Sequence, residues 1–200
     1  MAHAQHKDKI ALDRLVFFSD AVFAIAITLL ALEIRLPTEA GLLSDERLFA
    51  SLIDLWPKVL GFVISFLVIG SFWMTHHRRF SQLTAYDNRL LLLNLILLMA
   101  VAFVPFPTAV LSESGNRTAT IFYALVMALT GYLSAALWMY ASSRRYVGEA
   151  VTNLRPGRRG ILAVLTTPTI FLLSIGLAWV RPDLARLSWI LIAPAVLVMR

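Results

Sequence analysis

The most chemically loaded stretch of this sequence opens its first apolar run, where Asp20 follows Arg14 by six residues and is itself followed by a long uncharged segment. Charged groups at membrane depth are expensive, so a carboxylate there marks either function or a paired network. Further on, Trp73, His76 and His77 stand at i, i+3 and i+4 and share a helical face if that stretch is helical. A carboxylate and two imidazoles can relay protons, hold a metal, or form a structural clasp. Neighbouring histidines point to different faces of a helix, which argues against a shared metal. The sequence has no cysteine, so thiolate metal sites and disulfides are excluded. Neither Gly-x-Ser-x-Gly nor His-Glu-x-x-His occurs, and no other arrangement joins a nucleophile to a base, so no enzyme activity is expected.

Helical geometry relates Asp20 to its neighbours. At about 100° per residue, Ile25, Leu29 and Leu32 share one face, with Phe18, Ala21, Val22 and Thr28 within about 60° of Ile25. Asp20 lies about 140° from Ile25 on the same reckoning. If the Ile25 face borders a pore, Asp20 points at surrounding helices and needs a partner there, because an unpaired buried carboxylate is costly. The candidates are Arg14 of a neighbouring copy, a histidine, or the Trp73 indole. Two plainer readings stand beside this one. Asp20 can sit solvated at headgroup depth with His76 and His77 as interfacial anchors. An apolar stripe can be ordinary helix or lipid packing.

The elements that must carry these residues follow from composition. Of 200 residues 59% are hydrophobic and 15% charged, and the mean hydropathy is +0.76. A soluble surface needs more polar residues than that, and the apolar ones come in blocks long enough for a bilayer. Six blocks are read: 14–36, 55–75, 90–111, 118–143, 160–180 and a last one starting near 184. A span needs about 20 apolar residues; the sixth has 13 uncharged residues, 187–199, and either spans with snorkelling ends or is incomplete. Pro105 and Pro107 are expected to kink or end the third helix. The linkers 37–53 and 144–159 are too short to form a domain, so residues 1–200 are read as one all-α unit of six transmembrane helices.

Loop charge sets the expected orientation. With both termini inside, the inner segments carry twelve Lys and Arg and the outer segments six, in line with the positive-inside rule. The net charge of +6 and pI of about 10.2 are then a topology signal and a contact for anionic lipids, Arg155, Arg158 and Arg159 included, rather than a nucleic-acid surface. The polar N-terminus lacks the order of a cleaved signal peptide, so the first block is expected to be retained as a helix. The location expected is a cell inner (plasma) membrane.

Three stretches carry a family resemblance. They are Arg14-x-x-x-Phe18-Ser19-Asp20 with the apolar run after it, residues 72–80 (Phe-Trp-Met-Thr-His-His-Arg-Arg-Phe), and residues 94–108 from Asn94 to Thr108. Together they resemble the transmembrane protein 175 family of potassium channels, in its prokaryotic branch. The resemblance covers the first three helices closely and the remainder by length and hydropathy. It implies a homotetramer of six-helix subunits whose first helices line a central cation pore, with permeant potassium and no cofactor. It implies a constriction at Ile25, with Thr28, Leu29 and Leu32 on the following turns. It also implies a polar network of Arg14, Phe18, Ser19 and Asp20 with Trp73, His76 and His77 that holds the pore helix.

The rest of the sequence fits a pore without a carbonyl filter. No Thr-Val-Gly-Tyr-Gly occurs; the nearest string, Thr130-Gly131-Tyr132-Leu133, falls mid-helix and reads as packing. That leaves an apolar neck, which gates by dewetting and favours ions that shed water easily. Glu33, Glu39, Asp45, Glu46 and Asp54 either draw cations to the outer mouth or form a solvated loop. A secondary transporter is the chief rival, with Asp20 and a histidine as its proton relay, but the prolines show no repeat pattern of the kind transporters use. A purely structural membrane protein would conduct nothing.

Overall fold

The structure, a computed structural model, describes residues 2–36, 44–144, 146–147 and 158–189, with side chains from residue 10 and, in the last stretch, from 165. The described residues are helical almost throughout. A bilayer offers no partner for backbone N–H and C=O groups, and a helix satisfies them within one segment. The elements are α1 (Ala2–Leu29), continued by a 3-10 turn at Leu30–Glu33, then α2 (Asp45–Asp54), α3 (Trp56–Phe80), α4 (Asn88–Phe103), α5 (Pro105–Ser114), α6 (Arg117–Ser143), α7 (Arg158–Val180) and α8 (Pro182–Ser188).

Helix ends are written in the sequence. Asp87 caps α4 by accepting from the Leu90 N–H at 2.8 Å, and Asn116 caps α6 by accepting from the Ala119 N–H at 2.9 Å. Gly115, at φ 56°, ends α5 in the left-handed region that a glycine adopts without strain. Pro105 opens α5 at a position that needs no N–H donor. The expected interruption is therefore present: α4 and α5 form one span, Asn88–Ser114, broken at Val104. One short element was not expected: the first long linker contains α2, a ten-residue helix with no buried residue.

Among the described residues four segments are long and apolar enough to cross a membrane: Ile10–Glu33, Trp56–Phe80, Asn88–Ser114 and Arg117–Ser143. The fifth expected block falls on α7; the sixth begins in α8 and then runs outside the described residues, as do Glu39 and Arg155. Helix α1 packs on α3 and α4, α6 packs on α4 and most extensively on α7, and α8 folds back on α7. The Thr130-Gly131 string is a packing device. A Cβ on Gly131 would lie 2.8 Å from the Pro168 side chain of α7, so the glycine permits the close approach of these helices.

The four spans are not equally covered. The apolar windows of the third and fourth are 50% and 61% buried within the chain, those of the first and second only 22% each. The core holds Phe23, Leu30, Ile69, Leu97, Val101 and Tyr123. Helices α1 and α3 thus give one side to this core and leave the rest to lipid or to other protein.

Candidate functional site

Three consecutive residues of α1 point three ways. Successive side chains on a helix diverge by about 100°, and Phe18, Ser19 and Asp20 use that divergence to reach three environments. Phe18 is 52% exposed on the outer face. Ser19 is fully buried against α4. Asp20 turns to α3, where its Oδ1 accepts from the Trp73 indole N–H at 2.8 Å and its Oδ2 lies 3.8 Å from His77 Nδ1. The Trp73 and His77 rings lie 5.5 Å apart on the same face of α3, as their spacing requires.

The buried arm is a chain of directed hydrogen bonds. The Ser19 hydroxyl donates to its own helix at Leu15 O, 2.9 Å away. Its only proton is then used, so Ser19 Oγ accepts from Asn94 Nδ2 at 3.0 Å. That fixes the amide with Oδ1 toward His76 Nε2, 2.9 Å away, and places the His76 proton on Nε2. His76 stacks on Phe80, ring centroids 3.9 Å apart, and tilts against Phe23 of α1 at 5.4 Å. The two adjacent histidines do separate tasks, as their faces require: His76 is buried on Asn94, and His77 is half-exposed beside Asp20. Among the described residues no group of three His, Asp or Glu could hold a metal ion.

Seven residues were expected in this network, and the chain brings five of them together: Ser19, Asp20, Trp73, His76 and His77. Arg14 is exposed and has no partner among the described residues. Phe18 faces outward, because Ser19 and Asp20 take the two directions that lead inward. Asn94 is the member that sequence reasoning missed. Its signal was available: it is a lone amide in the charge-free block 90–111, and an amide in that setting needs partners.

The opposite side of α1 carries the expected stripe. Ile25 is 58% exposed, Leu29 39% and Leu32 59%, while Phe23, Ala26 and Leu30 are buried at 1% each. Thr28 lies on the exposed side and donates its hydroxyl proton to Ile25 O at 2.9 Å, which leaves the hydroxyl oxygen free to accept. Helix α1 is therefore two-faced: one face is clamped to α3 and α4, and the other is an uncovered apolar stripe that carries the Thr28 hydroxyl oxygen.

Residues 14–105 match the family described as endosomal/lysosomal potassium channel TMEM175. The chain is 36% identical over 176 residues to a Streptomyces collinus protein named a potassium channel, covering 86% of this chain and 84% of that one. A solved structure, described as a lysosomal potassium-selective channel TMEM175 homolog from Chamaesiphon minutus, superposes with a TM-score of 0.79 at 33% identity, over 95% of this chain and 98% of the other. A zebrafish protein named endosomal/lysosomal proton channel TMEM175 is 28% identical over 67% of this chain, which spans 26% of its length.

Proposed function

Since the chain belongs to the TMEM175 family of potassium channels, a family of multi-pass membrane channels and not of enzymes, we propose that it is a potassium-permeable cation channel whose pore is lined by α1 from four copies. One observation carries this reading. The Ile25, Leu29 and Leu32 face of α1 is exposed in the single chain, while the face bearing Ser19, Phe23, Ala26 and Leu30 is buried and Asp20 is bonded to α3. An apolar face on a helix clamped from behind suits a position at a shared axis. Four Ile25 side chains there form a narrow dry neck, which gates by dewetting and makes ions shed water. Potassium sheds water more readily than sodium, so such a neck favours it. The Thr28 hydroxyl oxygens lie one turn beyond, and Glu33, Asp45, Glu46 and Asp54 draw cations to that mouth. The polar network with Arg14 and Phe18 holds the pore helix, Arg14 engaging a neighbouring copy.

In this reading each subunit has six transmembrane helices, α7 and the segment from α8 onward supplying the last two. Both termini lie on the cytoplasmic side of an inner membrane, where the basic loops belong.

The test is potassium flux into liposomes containing the purified protein, with matched sodium gradients and an Ile25→Asn variant. Wetting the neck is expected to raise flux and lower the preference for potassium. Unchanged flux in the variant would place the constriction elsewhere, and no flux from either folded protein would favour a scaffold or transporter. A second reading, proton conduction, is favoured by the Asp20–His77 pair at 3.8 Å and by the name of the zebrafish relative. A pH-sensitive dye in the same liposomes reads it directly, and loss of that signal in Asp20→Asn would assign it to the pair.

A further inference from the structure

One polar atom of the clamp has no partner among the described residues. His76 is 97% buried, being 3% exposed, and its Nδ1 makes no hydrogen bond among the described residues. The direction of the Ser19–Asn94–His76 bonds puts the ring proton on Nε2, so Nδ1 is a lone-pair acceptor. His76 also lines a small cavity of about 10 Å³ between α3 and α6, together with Arg79, Phe80, Ser134 and Trp138. Arg79 reaches into the same place. Its Nη1 donates to Ser134 Oγ at 3.2 Å and to Ser134 O at 3.3 Å, and its guanidinium lies over the Trp138 ring at 5.5 Å.

We propose that this cavity binds one structural water molecule, which donates to His76 Nδ1 and accepts from the Arg79 guanidinium. The volume suits a single water, which needs roughly 10–15 Å³ by this measure and two to four polar partners. The donor and acceptor pattern selects it. An anion would suit Arg79 but would meet the Nδ1 lone pair. A cation would suit Nδ1 but would meet the guanidinium charge. Water alone can accept from one and donate to the other. The consequence concerns α6, which touches α1 through no bond of the clamp. With the water in place, Ser134 and Arg79 join His76, Asn94 and Ser19 in one hydrogen-bonded chain from α6 through α3 and α4 to α1. This site does not depend on ion conduction, and its test is read without flux.

The experiment is a crystal structure of the full chain in lipid at a resolution that shows ordered water, from crystals grown with chloride and again with bromide. An oxygen-sized peak about 2.6–3.2 Å from His76 Nδ1, without anomalous signal in bromide, is the expected result. No peak where other buried waters are visible, or an anomalous bromide peak, would overturn the proposal. Nitrogen NMR of His76 gives an independent reading. The wild type is expected to show Nε2 protonated and Nδ1 as a hydrogen-bonded acceptor. Filling the cavity with Ser134→Val is expected to move Nδ1 toward the resonance of an unbonded nitrogen while Nε2 stays in place. An Nδ1-protonated wild type, or a folded variant with Nδ1 unmoved, would count against the water.

Discussion

At the scale of single residues, Asn94 and Asp87 carry the sharpest consequences. Asn94 is 1% exposed and is bonded to both Ser19 and His76. Asn94→Leu leaves a buried hydroxyl and a buried imidazole N–H short of partners, at a cost of about 1–3 kcal/mol. A lower melting temperature in detergent is expected, with His76 rather than Asp20 showing the changed environment; an unchanged melting temperature would mean the buried arm adds nothing. Asp87, in the loop before α4, accepts from the Tyr140 hydroxyl at 2.6 Å and from the Leu90 N–H at 2.8 Å. These bonds, Tyr140 first, hold its carboxyl below the usual carboxylate range. A depressed carboxyl stabilises the fold fully above the unfolded aspartate value of about 4, and that stability fades as pH falls through the lower folded value. Tyr140→Phe should therefore shift the acid loss of stability to higher pH, which thermal melts across a pH series would show.

At the scale of elements, α1 was legible as a helix from its apolar run, and its exposed stripe of Ile25, Leu29 and Leu32 matches simple helical angles. Pro105 gave the break between α4 and α5 because a proline cannot donate to the preceding turn. Helix α2 was not legible: ten mixed residues in a linker carry too weak a pattern against the spans around them. The contact of α6 with α7 turns on Gly131 against Pro168. Gly131→Ala adds a methyl 2.8 Å from the Pro168 Cβ, and overpacking of this kind costs about 1–3 kcal/mol. A lower melting temperature is expected, and a further fall with Gly131→Leu. If both variants melt like the wild type, the two helices are free to part at this point.

At the scale of the whole molecule, the spans Ile10–Glu33 and Trp56–Phe80 stay mostly uncovered in one chain, at 22% burial each. Asp20 joins these two helices through Trp73 and His77, so it sets how α1 sits on α3 and, in the proposed tetramer, how the α1 face is presented. Asp20→Ala is expected to reduce the proposed tetramer relative to smaller species, measured as mass in detergent. Normal assembly with altered proton flux would instead make Asp20 part of a relay.

Sequence patterns were enough for the bilayer class, for the four long apolar spans and for picking out Ser19, Asp20, Trp73, His76 and His77, because hydropathy, caps and helical spacing act over one or two turns. They did not settle which partner each residue takes. Asp20 had three candidates, and the packing of α1 on α3 chose Trp73 and His77. Asn94 gained its place only when α4 brought it between Ser19 and His76, residues 75 and 18 positions away. Contacts across such distances depend on how helices rotate and cross in three dimensions, and no local periodicity encodes that.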